Sequence, residues 1–251
     1  MLDATTAHPT FWLAALIVFG AMVVRGITGF GAALVLVPLL GLFWNLRQVV
    51  LVAAIVQVAT GVPLTVAARR DVMRRVLAVL LVGSLAGLPL GSLLLSALPL
   101  TALRRGLGAL TLALGLSWLL PLRRRVARKP WRARLAAALG VATGWASGLL
   151  SGAIGTGGPP VVAYLQYRLP DPTARRATLL AYFMVIDIVR LVGYLRLGIG
   201  GPTTLRTAAA LVPFALLGSV AGSRIHGRVG ARVVALCVAC LLVVTGVLLL
   251  R

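Results

Sequence analysis

Three ionisable side chains lie in apolar surroundings, where a charge is expensive. Arg25 stands in MVVRGITGFGAALVLVP (22–38), while Asp187 and Arg190 share AYFMVIDIVRLVGYL (181–195). An ionised carboxylate inside a membrane costs several kcal/mol, so Asp187 must face a partner or a cavity. Arg190, three residues on, lies on the same helical face and can neutralise it. Two roles for Asp187 stay open, a structural ion pair and a proton-coupling group. The Arg25 guanidinium has the planar fork that grips the paired oxygens of a sulfonate, sulfite or carboxylate if its segment reaches deep, and snorkels to the cytoplasmic surface if it is shallow. Thr28, Ser151 and Thr156 add hydroxyl donors nearby, unless each is spent on its own helix. Gln57 is a further polar residue in an apolar segment, suited to a bond between helices.

Glycine clusters surround these groups. RGITGFG (25–31) and SGAIGTGGPP (151–160) each sit in the middle of an apolar region about 35 residues long. A helix of that length would run roughly 50 Å against a hydrocarbon core of about 30 Å. Its arms, such as 11–24, are about 20 Å long, short for a full crossing. A hairpin that enters and returns is the expected solution. Each break creates a new helix N-terminus with unpaired N–H groups and positive partial charge, at 29–32 and again at 155–159. Such an end holds an anion, with Gly29, Phe30, Gly31, Gly155, Gly157 and Gly158 bringing backbone close to it. Pro159 and Pro160 suit a first helical turn. The competing explanation is that these glycines serve close helix packing.

The remaining apolar segments, 49–68, 76–98, 106–122, 177–195, 207–223 and 233–250, each match one bilayer crossing. With 60% hydrophobic residues and only 12% charged, the chain reads as an integral, all-α membrane protein. Twenty-four Arg and one Lys face four Asp and no Glu. This basic excess sits in the short connections, a pattern of cytoplasmic retention rather than nucleic-acid binding. The start lacks the basic region and cleavage site of a secretory signal, so the first apolar segment is expected to stay. Cys237 and Cys240 lie mid-helix, where packing rather than redox chemistry is expected.

The two glycine-broken regions match as copies. Gly26, Gly29 and Gly31 map onto Gly152, Gly155 and Gly157 at one offset, and Gly87, Gly91 and Ser92 onto Gly218, Gly222 and Ser223 at another. Residues 1–122 form the first repeat, 123–134 a basic cytoplasmic linker and 135–251 the second repeat, together one transmembrane domain. Each repeat is a broken-helix hairpin followed by three spans. If each hairpin returns to its own side, 17 basic residues fall inside and 6 outside, with both termini extracytoplasmic. Three crossings per half then make the halves inverted, the pattern of a secondary transporter.

Enzyme readings find little support. GLLSG around Ser151 invites comparison with a membrane serine protease, but the histidines, His8 and His226, lie near the N-terminus and in a loop. No residue cluster offers metal ligands, and no cofactor is expected. The glycine strings follow no strand and precede no GK, as a nucleotide loop would require.

GITGFGAALVLVP (26–38) and GLLSGAIGTGGPPVVAYL (148–165) resemble the paired motifs of the sulfite exporter TauE/SafE family, also called the toluenesulfonate uptake permeases. The resemblance covers essentially the whole chain. Gly31, Ala32 and Ala33 stand where that family has a glycine triplet. It implies a multi-pass permease of the bacterial cytoplasmic membrane that exports small sulfur-containing anions, such as sulfite, sulfoacetate or other organosulfonates. The expected mechanism is alternating access at the paired breaks, with a passive anion channel or a non-transporting scaffold subunit as rivals. The partners this allows are a small anion, bilayer lipid and a second copy of the chain, not nucleic acid.

Overall fold

The computed structural model describes residues 9–119, 133–226 and 231–250, and among these it forms helices and turns without a strand. The linker expected at 123–134 lies almost wholly outside the described residues, as does His8. The first half contributes α1 (Pro9–Thr28), α2 (Ala32–Gly41), α3 (Leu46–Ala68), α4 (Arg74–Ala97) and α5 (Leu100–Leu119). The second contributes α6 (Ala133–Ile154), α7 (Gly158–Arg168), α8 (Pro172–Arg196), α9 (Pro202–Arg224) and α10 (Ala231–Leu250). Six helices, α1, α3, α4, α6, α8 and α9, are long and apolar enough to cross a membrane. The protein is a multi-pass membrane protein.

The arms of the two broken regions depart from expectation. α1 has 20 residues and α6 has 22, about 30 and 33 Å, so each long arm can cross alone. The reason is local: Gly26 and Gly152 stay helical, and the chain leaves the helix only at Gly29 and Gly155. Both adopt left-handed φ, +83° and +75°, which side chains with a Cβ disfavour. The return arms α2 and α7 are short, 10 and 11 residues. α5 and α10 are each 20 residues long, about 30 Å, and α5 carries Arg104 and Arg105 in its second turn.

Helices pair by backbone contact at glycine, and every such pairing has a counterpart in the other half. On α9, a Cβ at Gly218 would collide with the Phe19 carbonyl and one at Gly222 with the Val23 carbonyl, both on α1. On α4, a Cβ at Gly87 would strike the Trp145 carbonyl and one at Gly91 the Leu149 carbonyl, both on α6. Gly26 rests against the backbone of Gly222, and Gly152 against that of Gly91. α5 meets α10 in the same reciprocal way, Gly115 against Val243 and Gly246 against Leu112. The offsets found along the sequence therefore recur in space. Small residues four apart let two helix backbones touch, which replaces the hydrophobic drive that lipid does not supply.

Candidate functional site

The N-terminal ends of the two short helices meet at one cavity. A Cβ on Gly158, the first residue of α7, would lie 3.5 Å from the Phe30 ring just before α2. Between them is a small cavity of about 20 Å³, room for about one water molecule. Gly31, Ala33 and Leu34 line it from the first break, and Gly155, Thr156 and Gly157 from the second.

Each break is held by side chains that satisfy the carbonyls a helix end leaves open. At the end of α1, Arg176 of α8 donates to the Gly26 carbonyl at 2.7 Å, and the His226 Nδ1–H donates to the Ile27 carbonyl at 2.6 Å. The Thr28 hydroxyl sits 2.8 Å from the Val24 carbonyl and 2.7 Å from that of Phe30, and accepts from the Phe30 amide. At the end of α6, Tyr194 donates to the Gly152 carbonyl at 2.7 Å and Arg190 Nη1 to the Gly155 carbonyl at 2.9 Å.

Beyond the second break runs a chain of hydroxyls. The Ser147 hydroxyl donates to the Gly157 carbonyl, which only accepts, so Tyr182 must donate to Ser147, at 2.8 Å. The Ser84 hydroxyl lies 2.6 Å from the Tyr182 oxygen, and 2.8 and 2.9 Å from the Leu80 and Gly144 carbonyls. α4, α8 and α6 thereby fix the backbone immediately before α7.

The charges meet at the cavity. Asp187 bridges two guanidinium groups: Arg190 Nη2 is 2.9 Å from Oδ1, and Arg25 Nη2 is 3.3 Å from Oδ2. All three side chains are 1–2% exposed. Arg25 Nη1 also donates to the main-chain carbonyl of Gln57 at 3.2 Å. The Gln57 side chain bonds back to Ala53 on its own helix rather than to a neighbour. Two buried cations against one carboxylate leave a single net positive charge. Among the described residues, Arg25 Nε, Arg190 Nε and the Thr156 hydroxyl are buried without a hydrogen-bond partner. Unspent donors in a buried, cation-rich pocket with two helix N-termini are the requirements for holding an anion.

Of the residues singled out in the sequence, Arg25, Phe30, Gly31, Ser151, Gly155, Thr156, Gly157, Gly158, Asp187 and Arg190 line this cavity. Thr28 and Gly29 do not; Thr28 staples the turn, and Gly29 packs on Arg176. Arg25 does not reach a surface. Phe183 and Gln57 join the lining, and Arg176, Tyr182 and Tyr194 support it. Tyr182, Phe183 and Tyr194 stand in the same segment as Asp187, with nothing in their spacing to separate them from ordinary core aromatics.

The family model described as sulfite exporter TauE/SafE matches residues 14–249. The chain belongs to the TauE/SafE family. No curated protein and no solved structure matches it. The match runs from α1 into α10, so both breaks and every charged residue of the cavity of this TauE/SafE member lie inside it. With six helices able to cross a bilayer, a membrane transporter is the class that family and fold agree on.

Proposed function

We propose that this TauE/SafE member is a secondary transporter that exports small sulfur-containing anions, such as sulfite, sulfoacetate or other organosulfonates, across the bacterial cytoplasmic membrane. The observation that carries the reading is the pair of helix N-termini that meet around Arg25, Asp187 and Arg190, with a cation in excess and three donors unspent. Family membership supports the choice of sulfur anions. The Asp187 carboxylate occupies the position that an anion's oxygens would take between the two guanidinium groups. Loading therefore consists of the anion displacing a carboxylate, and the fork of Arg25 and the Thr156 hydroxyl are ready to receive it.

A cavity with room for about one water is too small for sulfite, so substrate entry requires the breaks to part. Alternating access follows when the halves are inverted, with both termini extracytoplasmic and the site exposed first to one side and then to the other. A passive channel would need a continuous pore, and a serine hydrolase would need a base at Ser151. His226 is engaged instead at Ile27, on the opposite break.

Counterflow in proteoliposomes tests the proposal. Unlabelled sulfite or sulfoacetate loaded inside should accelerate uptake of the labelled anion several-fold. Flux without acceleration points to a channel, and no flux for any sulfur oxyanion points to a scaffold.

A further inference from the structure

Loading a site inside a membrane leaves a net charge that has to be carried across, and a bare charge there costs several kcal/mol. The cavity-lining residues carry three charges, Arg25, Asp187 and Arg190. Arg25 faces Asp187 from α1, and Arg190 faces it from the same helix. α3 contributes the Gln57 carbonyl, α6 and α7 contribute hydroxyl and backbone groups, and Tyr182 and Tyr194 lie on the same helix as Asp187. The empty site therefore carries one net positive charge, set by two guanidinium groups and one carboxylate.

One bound monovalent anion brings that sum to zero. A divalent anion would leave one negative charge, and the one group present that can remove it is Asp187, by taking up a proton. A carboxylic acid at that position also gains an O–H donor toward an anion oxygen, where the carboxylate could only repel it. The guanidinium groups cannot make the adjustment, since arginine keeps its proton in proteins.

We infer that the charge of the cargo decides whether a proton travels with it: a monovalent sulfonate crosses alone, and a divalent sulfur oxyanion crosses together with one proton carried on Asp187. Coupling is then a property of the substrate rather than a fixed ratio of the protein. The proton is taken from water on the loading side as the anion displaces Asp187 from Arg25, and it leaves to water on the far side when the anion departs and the ion pair re-forms. This inference rests on the transport reading above.

The test measures proton and anion flux together in proteoliposomes containing the full-length chain, with a pH indicator inside and the membrane potential clamped. Methanesulfonate, monovalent at every working pH, is compared with thiosulfate, which stays divalent. About one proton per thiosulfate and none per methanesulfonate is expected from site neutrality. Equal proton counts for the two anions overturn the inference while leaving transport intact. If a single anion of the pair is carried, its own count decides. Absence of flux for both overturns the transport reading itself. In Asp187→Asn, thiosulfate should move without its proton; proton-coupled thiosulfate flux in that variant would sink the assignment to Asp187. If the variant does not fold, the wild-type ratio alone decides.

Discussion

Arg25 shows how far a single residue can be read. Its type and its place beside a glycine break were legible. Its depth was not, because depth depends on α1 continuing through Gly26 to Thr28 and on α9 and α8 closing over that end. Buried at 1% exposure and shared between Asp187 and the Gln57 carbonyl, it lines the cavity and does not reach a surface. The pairing of Asp187 with Arg190 was expected from their spacing of three; that Arg25 joins them from 162 residues earlier in the chain was not, since nothing local announces it. Replacing Arg25 by Gln removes a charged donor but leaves Asp187 paired with Arg190, so the fold should persist. Anion affinity, measured by titration on purified protein, should fall roughly 10- to 100-fold, the range of about 1.5–3 kcal/mol for a hydrogen bond to a charged group. Unchanged affinity would remove Arg25 from the site.

At the scale of elements, the glycines divide by task in a way composition cannot reveal. Gly29 and Gly155 end helices through their φ, while Gly26 and Gly152 stay in them and press against a neighbouring backbone. A sequence shows the same letter in both cases, and so the arms read as shorter than they are. The row Gly83, Gly87, Gly91 on α4 against Gly144, Gly148, Gly152 on α6 is the tightest of these contacts, and only part of it stood out as a repeat. Gly91→Ala places a methyl against the Leu149 carbonyl, which is backbone and cannot yield. It should destabilise by about 1–3 kcal/mol, as overpacking does. Gly20→Ala on α1, with open space around it, is the matched control and should leave the melting temperature in detergent unchanged or raised.

For the whole molecule, the two constant offsets read in the sequence recur in the glycine contacts, which set Gly218 and Gly222 against Phe19 and Val23, and Gly87 and Gly91 against Trp145 and Leu149. Which helix lies beside which was not legible, because lipid-facing and protein-facing sides of these segments are almost equally apolar: Leu217 and Val244 are exposed, Leu211 and Leu242 buried. The hairpin helix of each half packs on the fourth helix of the other, α1 on α9 and α6 on α4, so neither half contains its own partner surfaces. Cutting the chain in the basic connection between residues 119 and 133 should give two pieces that assemble when made together and aggregate when made apart, as read by size-exclusion profiles. A half that is monodisperse alone would refute this.

That exchange of partners sets a timetable for biosynthesis. Val23 and Gly26 leave the ribosome about 200 residues before the Gly222 backbone they rest on. At about 5–20 residues per second, roughly 10–40 s separate the two. During that interval the α1 docking face is bare, and until Asp187 is made Arg25 lacks its carboxylate. A newly made chain therefore carries an uncompensated cation in the bilayer until its second half arrives, and this waiting period is when quality-control proteases have their opportunity.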